Sequence, residues 1–219
     1  MNQIILASQS PRRRYLLAEM GVEFEVTPSN FEEYLDDSRD VEAIARELSL
    51  GKALAIAKDH PDDYVIGSDT IVYVDGRQLG KAENVEEARK ILTDLAGKEN
   101  LVITGVALVN HAKGIELIDT ETTRVQFKKD SNEVTKLREE YLASERWKDK
   151  AGAYGLQDGA AALIESISGD YDSLMGLPTR KLAEMLRGQG IDAKRVEEEP
   201  PVPQTRPKDE VVGSGAKRT

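Results

Sequence analysis

The chain has 219 residues, 39% hydrophobic and 32% charged, so it can bury a core as one elongated domain or as two small lobes. It has no cysteine and two histidines, which excludes disulfides, a thiol nucleophile, a zinc-thiolate centre and a histidine-rich metal site, and leaves oxygen ligands for any metal. The net charge of -10 argues against general binding to nucleic acid. Without a basic leader or a long apolar run, the sequence predicts a cytoplasmic protein with no membrane partner.

A run of three arginines stands where the first helix is predicted to begin. Residues 3–7 read as a strand. Ser10 is a good N-cap, Pro11 suits the first helical position, and Gly21 suits the position after the last turn. Each exposed arginine in a first turn opposes the helix dipole by about 0.3–1 kcal/mol. Residues 12–14 therefore indicate either an anion bound at this helix end or a solvated basic patch, and the spacing does not decide between them.

A second helix is predicted over residues 40–58, after a strand in "EFEV" and an acidic loop. The helical step from Leu48 places Lys52 on the apolar stripe of this helix. The simpler interpretation of a lysine there is snorkelling, with a packed stem and an ammonium group in water. The other positions of the stripe are Val41, Ile44, Ala45, Leu48, Ala55 and Ile56.

The segment "DDYVIGSDTIVYVDGRQLGK" carries the most chemistry per residue. Residues 64–66 are predicted to form a buried strand with Asp69 at its end, and "VDG" to form a hairpin turn. Because Asp69 is flanked by Ile66 and Ile71, we expect it to be partly desolvated. Such a carboxylate either caps a turn, binds a cation or takes part in proton transfer. Lys81, in the opposing arm of the hairpin, favours a site.

The remaining elements alternate between strands and helices, which is typical of the α/β class. No internal repeat is visible. A glycine-rich loop containing Lys150 and Gln157 is predicted before the last strand. The other predictions are helices over 84–95, 131–144 and 179–188, and strands over 101–110, 122–129 and 161–167.

The C-terminal segment differs in composition from the rest of the chain. Four of the eight prolines fall between residues 200 and 207, among charged residues, and "GSGAKRT" ends the sequence. Residues 196–219 are therefore predicted to be a disordered tail outside a folded domain that spans residues 1–195.

Seven ordered blocks carry a family resemblance: "LASQSPRRRYLL", "SNFEEYL", "LGKALAIA", "VIGSDTIV", "TGVAL", "DKAGAYGLQ" and "GDYDSLMGLP". In order and spacing they resemble the Maf family of nucleoside triphosphate pyrophosphatases over roughly residues 3–190. The resemblance implies an elongated mixed β-sheet with flanking helices, and two lobes around a central cleft, as in Maf and ITPase-like proteins. It also implies hydrolysis of nucleoside triphosphates to the monophosphate and pyrophosphate, with Mg²⁺ or Mn²⁺. The family is often dimeric, so a homodimer is among the expectations, and it was first described through an effect on septum formation.

The resemblance also assigns roles to individual residues. Asp69 corresponds to the proton acceptor, and Glu33 with Asp69 corresponds to the metal site. A role for Lys52 at phosphate replaces the snorkelling interpretation. The positions that correspond to phosphate-binding residues are Ser8, Arg12, Arg13, Lys52 and Lys81.

Base preference is implied by three further positions. The subgroup that prefers dTTP and UTP has the residues found here at Arg12, Thr70 and Gln157, whereas a subgroup that prefers 7-methyl-GTP has Trp, Gln and Glu. Two residues depart from the family pattern. Ala82 replaces a usual proline, and Asp158 replaces a usual glycine, where it can alter base preference or point to solvent.

Two alternative functions stay open at the level of sequence. One is a non-catalytic nucleotide-binding regulator of cell division. The other is the same hydrolysis with preference for a modified nucleotide such as 7-methyl-GTP. The buried acid, two lysines and arginine loop are more than binding alone requires, which favours the enzyme.

Overall fold

The computed structural model describes residues 3–34, 36–196 and 201–203, and these residues form seven strands and six α-helices. The strands are β1 (Ile4–Leu6), β2 (Glu25–Val26), β3 (Tyr64–Val74), β4 (Arg77–Leu79), β5 (Glu99–Asn110), β6 (Ile115–Phe127) and β7 (Ile164–Ser168). The helices are α1 (Pro11–Glu19), α2 (Val41–Ala57), α3 (Val85–Leu95), α4 (Asn132–Ala143), α5 (Tyr171–Leu174) and α6 (Thr179–Gly188). Two 3-10 helices cover Leu156–Asp158 and Ala160–Leu163. No helix within these residues has the length and apolar character that a membrane span requires.

All the strands belong to one mixed sheet. Its order is β2-β1-β3-β5-β6-β7, and β4 pairs with β3 as a hairpin. β1 is parallel to β2 and β3, whereas the other pairs are antiparallel. Helices flank the sheet, and α2 packs across β3 and β5. The predicted α/β class with a mixed sheet is confirmed.

The edge of β3 opens in its middle. β5 pairs with one side of β3 from Val65 to Tyr73. On the other side, β1 pairs as far as Ile66 and β4 begins to pair at Val72. No other described strand pairs with the stretch between Ile66 and Val72 on that side. Asp69 lies in this gap, so the prediction that it follows the end of a strand is wrong: antiparallel pairing with β5 continues β3 through it.

Local signals explain most of the helix starts. The side chain of Ser10 accepts a hydrogen bond from the Arg13 N–H, and that of Asn84 accepts from the Glu87 N–H. Caps of this kind contribute about 1 kcal/mol each. Asp40 and Ser131 cap α2 and α4 in the same way. The helix α5 was not predicted, because four residues are too few for a periodic pattern.

The helix α2 lies unusually close to β3. A Cβ atom at Gly67 would stand 2.1 Å from the carbonyl oxygen of Ser49 on α2. Only glycine allows this approach without displacing the helix. The buried face of α2 includes Ala53 and Ala57, whereas Ala55 and Ile56, which were predicted for the stripe, are half-buried. The close packing brings the side chain of Lys52 within reach of β3.

The fold extends to the start of the predicted tail. Val196 is buried, and its N–H donates to Thr179 Oγ1 at 3.3 Å. Farther along, the Ile167 N–H of β7 donates to the carbonyl of Pro203 at 3.0 Å, and Val202 packs against the core. Val196 and residues 201–203 therefore contact the domain. The predicted disorder of residues 197–200 and 204–219 lies outside the described residues.

Candidate active site

A cleft of about 650 Å³ adjoins the open edge of β3. The loop from Ser8 to Arg13 forms one wall, and Asp69 and Thr70 of β3 form the floor. The opposite wall comes from residues 148–151, which include Lys150, and from residues 174–176. Most of the residues that line it are polar or charged, which suits a charged ligand.

Four charged side chains meet at the β3 gap. Lys52 Nζ lies 2.6 Å from Glu33 Oε1 and 2.5 Å from Asp69 Oδ1. Lys81 Nζ lies 3.1 Å from Glu33 Oε2. Because Lys52 is 7% exposed and Asp69 is 6% exposed, their charges are largely removed from water. The snorkelling interpretation of Lys52 is therefore wrong: its ammonium group binds two carboxylates.

The two lysines keep Glu33 ionised. Burial of Glu33 acts to raise its pKa, but the hydrogen bonds and charges of Lys52 and Lys81 outweigh it and lower the pKa to about 2. Glu33 is therefore a carboxylate at neutral pH. Lys81 is held at this point by its backbone, which forms an isolated β-bridge with Ala151.

Arg13 is the central cation of the N-terminal loop. Its Nε donates to the carbonyl of Gly176 at 2.8 Å, and its two terminal nitrogens donate to Ser8 Oγ and Thr70 Oγ1, each at 3.2 Å. Burial of the guanidinium lowers the pKa of Arg13 and Arg12 adds to this effect, whereas Asp69 and Glu33 act to raise it. These bonds fix the guanidinium at the floor of the cleft beside the N-terminus of α1.

Arg12 points across the cleft toward a different acid. Its Nε donates to the carbonyl of Met175 at 3.4 Å, and one terminal nitrogen lies 3.6 Å from Asp158 Oδ2. Lys150 Nζ lies 3.2 Å from the same oxygen. Asp158 therefore bridges the two cations, so it does not simply point to solvent.

The specificity positions occupy different depths. Thr70 lies on the floor, where its hydroxyl contacts Arg13 and accepts from Thr104 Oγ1 at 3.1 Å. Gln157 lies on an exposed 3-10 turn, and its side-chain amide donates to Met175 Sδ at 3.0 Å. Because Met175 lines the cleft, its contact with Gln157 places Gln157 at the rim of the cleft.

Comparison with known proteins identifies the family. The Maf-like protein family matches residues 3–189. The chain belongs to the Maf family. A dTTP/UTP pyrophosphatase from Pyrococcus furiosus is 42% identical over 196 residues, 90% of this chain and 100% of that protein. Another, from Alkaliphilus oremlandii, is 43% identical over 188 residues, 85% of this chain and 96% of that protein. Among solved structures, a HAM1 protein from Coxiella burnetii is similar with a TM-score of 0.46 and 14% identity, covering 86% of this chain and 100% of that one.

The Maf residues predicted from the sequence come together in space. Ser8, Arg12, Arg13, Asp69, Thr70 and Lys81 line the cleft. Glu33 and Lys52 join them through ion pairs, and Gln157 stands at the rim. Among the described residues no group of three or more histidine, cysteine or acidic side chains is arranged to hold a metal.

Sequence reasoning missed part of the supporting structure of this Maf site. Ser68 Oγ lies 2.8 Å from the carbonyls of Gly105 and Gly176, and so ties β3 to the 174–176 turn. The sequence places Lys150 in the glycine-rich loop but indicates no role for it. The block "GDYDSLMGLP" contains the turn of residues 174–176. The carbonyl of Gly176 that accepts from Arg13 is a backbone group, so the residue type does not reveal it.

Proposed function

We propose that this Maf protein hydrolyses nucleoside triphosphates to the monophosphate and pyrophosphate, with dTTP and UTP preferred. The observation that carries the proposal is Asp69, a buried carboxylate held by Lys52 on the floor of a cation-rich cleft. The relatives from Pyrococcus furiosus and Alkaliphilus oremlandii, both called dTTP/UTP pyrophosphatases, support the reaction and the bases.

The charge of the cleft suits a triphosphate. A triphosphate carries about four negative charges at neutral pH, and attack by water requires those charges to be neutralised and held in line. Arg12, Arg13 and Lys81 line the cleft, and the N-terminus of α1 begins beside them. Guanidinium groups form strong charge-assisted bonds with phosphate oxygens, and a helix N-terminus adds backbone N–H donors. Ser8 adds a hydroxyl to the same wall.

Asp69 is proposed to accept the proton of the attacking water. A general base of this kind contributes about 10²–10⁴-fold in rate. Lys52 holds the carboxylate in place through the 2.5 Å contact with Oδ1. The cleaved bond is the anhydride between the α and β phosphates, and the arginines and Lys81 stabilise the charge on the departing pyrophosphate.

Glu33 and Asp69 fit the requirements of a Mg²⁺ or Mn²⁺ site. The two carboxylates both contact the ammonium group of Lys52, so they lie next to each other at the β3 gap. Mg²⁺ typically binds one or two carboxylates together with substrate phosphates, which needs no larger cluster. A divalent cation held by these carboxylates would neutralise phosphate charge and would make the attacking water more acidic.

Gln157 is proposed to read the base. Its amide both donates and accepts, so it can pair with the carbonyl and N–H edge that thymine and uracil share. Arg12 and Thr70 complete this part of the cleft, with Thr70 acting through its contact with Arg13. By family resemblance we also propose a cytoplasmic homodimer that acts on free nucleotides, and light scattering of the purified protein tests the dimer.

One assay tests the proposal. The purified protein is incubated with Mg²⁺ and, separately, dTTP, UTP, ATP and 7-methyl-GTP, while pyrophosphate and orthophosphate are measured. We expect pyrophosphate from dTTP and UTP with kcat/KM about tenfold or more above the other two, because the hydrogen bonds proposed for Gln157 match the edge that thymine and uracil share. Binding without pyrophosphate supports the regulator instead. A preference for 7-methyl-GTP contradicts the role given to Gln157.

A further inference from the structure

The carboxylate of Asp158 forms ion pairs with two cationic side chains of the cleft at the same time. Its Oδ2 atom lies 3.2 Å from Lys150 Nζ and 3.6 Å from a terminal nitrogen of Arg12. This oxygen is buried from solvent, although the side chain as a whole is 33% exposed. Arg12 comes from the first turn of α1 and Lys150 from the opposite wall, so the acid spans the cleft between them.

The contact with Arg12 is weak enough to be exchanged, because an ion pair between partly exposed side chains changes an equilibrium by about fivefold or less. The pair with Arg12 is long, and the side chain of Arg12 is 35% exposed. A phosphate group carries more charge than a carboxylate and accepts more hydrogen bonds, so it replaces the carboxylate readily.

Lys150 is positioned to take part in this exchange. Its side chain is only 12% exposed and lines the cleft. The aliphatic part of Lys150 and Asp158 Oδ2 both pack over Gly155, where a Cβ atom would stand 2.6 Å from each of them. Lys150 therefore has little freedom to leave the cleft when Asp158 releases it.

We propose that Asp158 is a resident counter-anion that competes with substrate phosphate for Lys150 and Arg12, and so sets the affinity of the cleft. This inference rests on the proposed function in one respect, which is that the ligand of the cleft is a polyphosphate. In the free protein the single negative charge of Asp158 is shared between the two cations, and on binding the phosphate replaces Asp158 at Lys150. Asp158 thus weakens the binding of every polyphosphate ligand by a similar factor, whatever its base.

The test uses inorganic tripolyphosphate, which has neither base nor sugar, titrated calorimetrically without added metal so that no turnover is needed. We expect Asp158→Asn to lower its Kd by about three- to tenfold, and Lys150→Gln to raise it by a similar factor. In the double variant the gain from Asp158→Asn should fall to about twofold, because the main contested cation is gone. Asp149→Asn is the matched control, since Asp149 is exposed and lines the same cleft. We expect it to change Kd by less than twofold.

Steady-state kinetics provide a second readout. With dTTP, UTP and ATP, Asp158→Asn should lower KM by one common factor and leave kcat within about twofold. Weaker tripolyphosphate binding in a folded Asp158→Asn variant overturns the proposal, because Asp158 would then hold Lys150 in place for substrate. A KM change confined to one base, or an equal gain from Asp149→Asn, also overturns it. Because calorimetry needs no hydrolysis, failure of the proposed reaction leaves this test intact.

Discussion

Lys52 Nζ lies 2.5 Å from Asp69 Oδ1, and both side chains are buried at the gap in the edge of β3. The contact depends on Gly67, which lets α2 approach the strand. A buried charge without a partner is costly, so the contact offsets part of the cost of burying these two side chains. The contact fixes the carboxylate to which we assign proton transfer.

Replacement of Asp69 by asparagine should abolish most hydrolysis. The change keeps the size of the side chain but removes the proposed base and one proposed metal ligand, so we expect kcat/KM to fall by about 10³-fold or more. Lys52 keeps Glu33 as a partner, so the variant should fold. Pyrophosphate release and far-ultraviolet circular dichroism measure the two quantities.

A matched variant tests whether the loss of any aspartate charge, or only the loss of the one in the cleft, lowers activity. Asp94→Asn removes an aspartate whose side chain pairs with Arg77 on the surface, away from the residues that line the cleft. Its kcat/KM should stay within twofold of the parent. A folded Asp69→Asn protein with more than a tenth of the parent activity would rule out Asp69 as the proton acceptor.

Glu33 should contribute to the loss of stability in acid. Its pKa is lowered from 4.5 to about 2 in the folded state, against burial, by Lys52 and Lys81. A lowered pKa means that its contribution to the free energy of unfolding is complete above about pH 4.5 and disappears as pH falls toward 2. The side chain is 46% exposed, so solvent screening keeps the effect small.

Urea unfolding between pH 7 and pH 3 tests this directly. The stability difference between the parent and Glu33→Gln should be constant near neutral pH and shrink below about pH 4.5. In a Lys81→Met background the total shrinkage should be smaller and should end at a higher pH, because one of the two cations that lower the folded-state pKa of Glu33 is absent. If the stability difference between the parent and Glu33→Gln grows as pH falls, Glu33 does not stabilise the fold through a lowered pKa.

Local chemistry explains what the sequence could predict. The caps Ser10 and Asn84 act within three residues, so they mark helix starts without knowledge of the fold. The environment of Lys52 is harder to predict, because a lysine on an apolar stripe can place its ammonium group either in water or in the interior. Its environment depends on Glu33 and Asp69, which are 19 and 17 residues away.

Contacts between distant segments explain what the sequence could not predict. Arg13 donates to the carbonyl of Gly176, 163 residues later, and no pattern in either segment encodes that pairing. The bridge from Asp158 to Arg12 is of the same kind. Val196 belongs to a proline-rich and charged segment by composition, yet its burial follows from contact with α6, where Thr179 accepts its N–H.

Two truncations should locate the end of the folded domain. Removal of residues 204–219 leaves all the described contacts in place, so the thermal midpoint should change by less than about 1 °C. Removal of residues 196–219 exposes the site of Val196 and removes the hydrogen bond from Ile167 to Pro203. We expect it to lower the free energy of unfolding by about 1–3 kcal/mol. Calorimetry measures the thermal midpoints of both truncated proteins. Equal midpoints would show that the contacts of Val196 contribute nothing to stability.

The three adjacent arginines should differ sharply in their effect on catalysis. Arg13 donates to three acceptors at the cleft floor, Arg12 reaches one carbonyl and Asp158, and Arg14 is exposed. Lysine cannot reproduce the planar fork, so Arg13→Lys should lower kcat/KM by about 10²–10³-fold. Arg12→Ala should cost about tenfold or more, through a lost charge-assisted phosphate contact. Arg14→Ala is the matched control and should stay within twofold. Pyrophosphate release gives the ranking, and three equal effects would mean that the run is a basic patch and not a built phosphate site.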